Sequence, residues 1–346
     1  NLVIETYPGV HGDGIVVDSS RFVKLLNNYI DTGDDGMVIK SGKDRDGLRV
    51  NRPTEDVTIE NCTVHHAQAA LAIGSETSGG VRNLVASNIT VKDTVNGIHI
   101  KSRRGRGGTI EDIRFNNWTM ENVGRAITIS DAGYQMEGEA PDPGEGAVTE
   151  RTPKLRNIAV THVTVDGAQT LITVSGIPEM PISSVHISDV IGTGQHGLVA
   201  DHTDDLELHN VQLNVAFGPT YLVQHSQNLE LDGVGSRTPI AAAPLVRIEG
   251  STDSIVRNSR VLPPATRLVS TPAGEANSVT LVEDRGADLR PIDSAVEESA
   301  DWPAAPPQTK ENCLVRFDMD PKHPTALGDE SKLCLDLVAS ALKHSP

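Results

Sequence analysis

Three aspartates define the chemistry this chain could perform. Asp13 stands in His11-Gly12-Asp13-Gly14, and Asp34 and Asp35 stand in Thr32-Gly33-Asp34-Asp35-Gly36, 21 and 22 residues further on. Carboxyl groups brought close together raise the pKa of at least one of them, which a general acid requires. An Asp before Gly is also an ordinary turn residue. Any one of the three, taken alone, reads as a turn. Three at the same place in successive repeats, with basic residues two repeats downstream, favour catalysis.

The elements that would position them are repeated strands and turns. A small residue followed by alternating aliphatics recurs as Gly14-Ile-Val-Val-Asp18, Gly36-Met-Val-Ile-Lys40, Ala70-Leu-Ala-Ile-Gly74, Gly97-Ile-His-Ile-Lys101, Ala126-Ile-Thr-Ile-Ser130 and Leu171-Ile-Thr-Val-Ser175. A second phrase runs between them, as in Val57-Thr-Ile-Glu-Asn-Cys-Thr-Val64. Both have the two-residue period of half-buried strands bounded by turn residues. The most regular returns come 22 to 27 residues apart, with no helical period. That repeat predicts an all-β chain folded as a single-stranded, right-handed parallel β-helix. A flat antiparallel sandwich is the alternative, but it does not require one phrase to return so often. Rungs of a solenoid lie about 4.8 Å apart, so residues at equivalent places stack and the three carboxylates converge. The β-helix is expected over 1–285. A linker and tail over 286–346 end in an amphipathic helix near Asp329 to Lys343. Lys43 to Pro53 and Met136 to Pro153 interrupt the repeat and are expected to wall a cleft.

Composition narrows the partners. Aromatics make up only 3% of 346 residues, so the core is expected to be many small aliphatic side chains. A formal charge of −17 argues against nucleic acid as a partner. No run is long enough to cross a membrane. Cys62, Cys313 and Cys334 cannot form a complete disulfide framework; a Cys313–Cys334 bridge is an even choice, with Cys62 buried in a coil. No cofactor and no metal is expected.

At these motifs the chain resembles glycoside hydrolase family 28, which includes polygalacturonases and rhamnogalacturonan hydrolases. The likeness is carried by Pro8-Gly-Val-His-Gly-Asp-Gly-Ile-Val-Val-Asp18, Asp31-Thr-Gly-Asp-Asp-Gly-Met-Val-Ile-Lys40, Ile73-Gly-Ser-Glu-Thr-Ser-Gly-Gly-Val81 and Gly97-Ile-His-Ile-Lys-Ser-Arg-Arg-Gly-Arg106. It covers about residues 1 to 250, leans toward bacterial members, and implies a pectin lyase-like solenoid. The family's Asn-Thr-Asp corresponds to His11-Gly12-Asp13, its Asp-Asp to Asp34-Asp35, its Gly-His-Gly to Ala67-Gln68-Ala69, and its Arg-Ile-Lys to His99-Ile100-Lys101. The resemblance implies that Asp34 protonates the leaving oxygen while Asp13 and Asp35 activate the attacking water. It also implies that Lys101 meets a substrate carboxylate.

Gln68 and His99 depart from the family pattern and bear on the galacturonate subsite. His99 would partly replace the absent Arg, and His65 or His66 could swing in beside Gln68. Arg103, Arg104 and Arg106 either line the cleft and attract an acidic glycan or form a solvated run. Tyr134 either stacks on a sugar or packs in the core. The leading reading is an inverting glycosidase acting on an acidic plant polysaccharide or oligosaccharide, secreted or periplasmic. A glycan-binding β-helix without turnover and a purely structural solenoid are the alternatives. The tail around Asp320-Pro-Lys-His323 faintly resembles the last block of SGNH-type esterases but lacks their Gly-Asp-Ser. Because Asp13 lies so near residue 1, the early coils of the family's helix are expected to be missing. The exposed N-terminal edge would then be a site of self-association.

Overall fold

Short aliphatic strands pair in parallel with those one coil before and one coil after. Ile15, Met37, Leu71, Ile98, Ile127, Ile172, Leu198, Tyr221, Val246 and Val269 form one continuous column through this pairing. From Met37 onward every member is at most 2% exposed. A second column runs Val23, Val57, Leu84, Ile113, Ile158, Val185, Leu206 and Leu229. A third joins Ile30, Val64, Val91, Met120 and Val165. These columns make one apolar core along the stack, and each buried aliphatic side chain contributes about 1.5–3 kcal/mol. The molecule is the parallel β-helix that the repeat predicts. The computed structural model describes residues 1–132 and 144–298, apart from 242, 266, 275, 276, 287–289, 291 and 293.

The small residue that opens each repeat is a steric requirement. A Cβ on Gly14 would lie 2.3 Å from the Gly36 carbonyl oxygen and 2.6 Å from Ile30 Cγ2. On Gly36 it would lie 2.7 Å from Val64 Cγ1. The coils also turn on a stack of asparagines. Asn27, Asn61, Asn88 and Asn117 all have positive φ, and the Nδ2 of each of the last three donates to the Oδ1 of the asparagine one coil earlier, at 3.2, 3.1 and 2.7 Å.

Two details extend the sequence expectation, and the burial of Cys62 matches it. The Lys43 to Pro53 insertion contains a helix, Asp44–Val50, ended by Asn51 in the left-handed region. Its buried Gly47 packs where a Cβ would meet Ser78 Cβ at 2.7 Å. Parallel pairing continues past residue 285, because Val296–Glu298 pairs with Val269–Pro272. Cys62 is buried. Among the described residues, Val3–Glu5, Ile15–Asp18 and Arg21–Leu26 each pair on one side only. No helix among the described residues is long and apolar enough to cross a membrane. The Tyr134 reading, the Cys313–Cys334 pairing, the esterase-like block and the terminal helix lie outside the described residues.

Candidate active site

The first column sets the aspartates side by side. Pairing of Ile15 with Met37 puts Asp13 next to Asp35, and the Gly14 N–H donates to the Asp35 carbonyl at 2.9 Å. The Asp34 carbonyl accepts from the Gln68 N–H at 2.9 Å, so Gln68 lies one coil above Asp34. One carboxylate oxygen from each of Asp13, Asp34 and Asp35 lies within 4.8 Å of the other two. Lys101, three coils from Asp13, reaches back so that its Nζ stands 3.0 Å from Asp35 Oδ2.

The three carboxyls occupy different environments. Asp35 is nearly buried, and burial pushes its pKa up against the opposing pull of Lys101, with Asp34 and Asp13 adding to the rise. Asp13 is also raised, by burial first and the Asp34 charge second, with Lys40 pulling it down. Asp34 has the most exposed side chain, at 33% against 24% for Asp13 and 8% for Asp35. Its Oδ1 accepts the Asp35 N–H at 2.8 Å, and its Oδ2 is 4.0 Å from His11 Nδ1. The cluster is thus one accessible carboxyl beside two that bind a proton more firmly than a solvated aspartate. Two ammonium groups already balance it, which fits acid–base chemistry better than a tri-carboxylate cation site.

The other sequence candidates fall in several places. His99 sits on the outward row beside Ala72 and Thr128. Burial, followed by the charges of Lys101 and Arg125, lowers its pKa to about 3. A neutral imidazole does not replace the charge of an arginine. His66 is engaged elsewhere, with Nδ1 2.9 Å from Asp31 Oδ1 and its ring stacked on Tyr7 at 4.3 Å. His65 packs against Tyr29.

The arginines are not a solvated run. Arg104 forms a bidentate pair with Glu179 at 2.5 and 2.8 Å. Arg106 is fully buried, with NH1 2.7 Å from Asp44 at the start of the insertion helix. Arg103 is buried as well. Arg104 and Arg106 therefore brace loops against the coil that carries Lys101.

Sequence reasoning passed over three charged neighbours. Lys40 Nζ lies 3.8 Å from Asp13 and 3.7 Å from Glu76. It holds the same place in Gly36-Met-Val-Ile-Lys40 that Lys101 holds in Gly97-Ile-His-Ile-Lys101, which was the available signal. Arg125 lies one coil beyond Asn96 and donates to its Oδ1 at 3.0 Å. Asp131 is fully buried with both carboxyl oxygens unpartnered among the described residues, and burial raises its pKa to about 8.

The coils that carry these residues are similar to known proteins. Residues 2–216 match the model of glycosyl hydrolases family 28. A probable polygalacturonase of Vitis vinifera is 30% identical over 51% of this chain and 35% of its own length. An exo-poly-alpha-D-galacturonosidase of Dickeya chrysanthemi is 25% identical over 51% of this chain and 29% of its own length. This chain thus spans about a third of the length of those relatives. The crystal structure of a hyperthermoactive exopolygalacturonase from Thermotoga maritima aligns with a TM-score of 0.49 and 28% identity, over 58% of this chain and 44% of that one. The family model covers well over half of the residues and all of the aspartate-bearing coils, so the chain belongs to glycoside hydrolase family 28.

Proposed function

We propose that the chain is an inverting glycoside hydrolase acting on α-linked, galacturonate-containing pectic polysaccharide or oligosaccharide, rhamnogalacturonan included. The observation that carries this reading is the convergence of Asp13, Asp34 and Asp35 with the Lys101 ammonium against Asp35. Asp34, the most accessible carboxyl, protonates the leaving oxygen. Asp13 and Asp35, in their ionised forms, take the proton of the attacking water, and their raised pKa values move the pH at which they ionise upward. Lys101 and Lys40 supply the positive charge that draws a uronate carboxylate into a chain of net charge −17. The polymeric substrate puts the site of action outside the cytoplasm, secreted or periplasmic.

Reducing-end release from polygalacturonate and rhamnogalacturonan fractions tests the assignment. Asp34→Asn, Asp13→Asn and Asp35→Asn are each expected to lower kcat by about a thousand-fold, within the usual reach of acid–base groups. Stereochemistry is a separate test. One oxygen of each carboxyl lies within 4.8 Å of the other two, a closest approach, whereas inverting and retaining pairs are told apart by the separation of whole carboxyl groups, roughly 6.5–9.5 Å against roughly 5–5.5 Å. Proton NMR of the first-formed anomer is expected to show inversion; a retained anomer would overturn that part alone. The second reading, a binder without turnover, is favoured by the neutral His99 at the position where the family carries an Arg. It prevails if wild type and Asp34→Asn are equally inert yet still bind the glycan.

A further inference from the structure

A second constellation lies on a different sheet face from the aspartates. Outward residues of Ile182–Asp201, Thr203–Val215 and Gln227–Asp232 fall in two adjacent rows. One row reads His186, Glu207, Glu230, and the other Ser188, His209, Asp232. His186 Nδ1 is 2.9 Å from Glu207 Oε2, and that oxygen is 3.6 Å from His209 Nε2. A tetrahedral zinc ion with bonds of about 2.0–2.1 Å holds its ligand atoms about 3.3 Å apart. The observed separations bracket that value. All three ligand atoms lie within 4.8 Å of one another, and the three side chains are 30–41% exposed, so an ion has an open path.

The second, independent observation is how His209 is held. Its Nδ1 faces Asp232 Oδ2 at 3.4 Å. Asp232 is itself fixed by a hydrogen bond from Asn258 Nδ2 at 2.8 Å, with Arg257 Nε at an ion-pair distance of 3.2 Å. A histidine with one ring nitrogen toward an anchored carboxylate favours the tautomer that presents the lone pair of its other nitrogen outward, as metal-binding histidines usually do. Here that nitrogen is Nε2, the one facing Glu207.

We propose that His186, Glu207 and His209 bind a divalent transition-metal ion, zinc being the best match to two imidazoles and one carboxylate, with Asp232 orienting His209. The ion takes the place of the proton shared between His186 and Glu207 and leaves an open coordination position for water. It ties two successive coils through their outward side chains, a stabilising clip away from the reaction. The site depends on the fold and not on the hydrolase assignment.

The test titrates zinc chloride into the untagged, metal-free chain by isothermal calorimetry, with cobalt(II) absorbance reporting coordination geometry. We expect saturable zinc binding and a thermal midpoint that rises with zinc. His209→Gln is expected to weaken binding at least tenfold. Asp232→Asn, which touches no ion, should weaken it by about tenfold through loss of orientation. His202 and His225 share Asp201 on another part of the surface, and His225→Gln should leave this binding step intact. The proposal is overturned if wild type binds no zinc. It is equally overturned if His186→Gln/His209→Gln binds as wild type does, or if only His225→Gln loses binding. Circular dichroism of each variant keeps misfolding from being read as loss of the site.

Discussion

Lys101 and Asp35 show how one contact sets the working range of the site. Burial alone would drive Asp35 strongly toward its neutral acid; Lys101, 3.0 Å away, opposes that. The sign of a pH effect follows. Asp35 works ionised, Lys101 favours the ionised form, and removing Lys101 moves the acidic limb of the kcat/KM profile to higher pH. Lys101→Met is therefore expected to show that displacement together with a loss of about a hundred-fold in kcat/KM, as when a preorganised charge is deleted. A pH profile unchanged in shape would separate Lys101 from Asp35. The residue scale also marks where sequence reading ended. The aspartates were legible because they recur at one place in the repeat. The burial that neutralises His99 was not. The partners of Arg104 and Arg106 lie 75 and 62 residues away, beyond any local pattern.

At the scale of the element, the strands were readable because their two-residue period is local and each was repeated on the next coil. The Asp44–Val50 helix was not, because Gly42, Gly47 and Pro53 read as loop. What holds that helix is tertiary: Arg106 from a distant coil and the close approach of Ser78. The turn between strands offers a sharper test. Asn88 donates to Asn61, accepts from Asn117 and sits at φ 57°. Alanine there loses both side-chain bonds and carries the left-handed penalty of about 1–2 kcal/mol. Exposed hydrogen bonds add about 0.5–1.5 kcal/mol each. Asn88→Ala is expected to destabilise by about 2–5 kcal/mol in denaturant unfolding, and Asn88→Gly by about 1–3 kcal/mol because only the ladder is lost. Equal effects of the two substitutions would assign the whole cost to the ladder and none to the backbone.

At the scale of the whole molecule, each coil of a stack is stabilised by its neighbours; among the described residues, Val3–Glu5, Ile15–Asp18 and Arg21–Leu26 pair on one side only. Ile4, Ile15, Val23 and Leu25 cover the end of the core but are only partly buried. Val3 and Phe22 are 70% and 74% exposed beside them. Among the described residues, these three strands carry backbone groups along one edge that no other strand pairs with, the usual template for strand addition. Against this stands mutual repulsion between copies that each carry a net charge of −17. The balance depends on salt, because repulsion between chains is screened over about 10 Å at 0.1 M while apolar burial is not weakened. Sedimentation velocity on the 346-residue chain is therefore expected to show association that grows with protein concentration and strengthens as salt is raised. Val3→Lys with Phe22→Lys should shift it to monomer while leaving the far-ultraviolet circular dichroism unchanged, since both side chains already point to solvent. A wild-type chain that stays monomeric in high salt at every concentration would mean that the partly buried Ile4, Ile15, Val23 and Leu25 close the core end well enough by themselves.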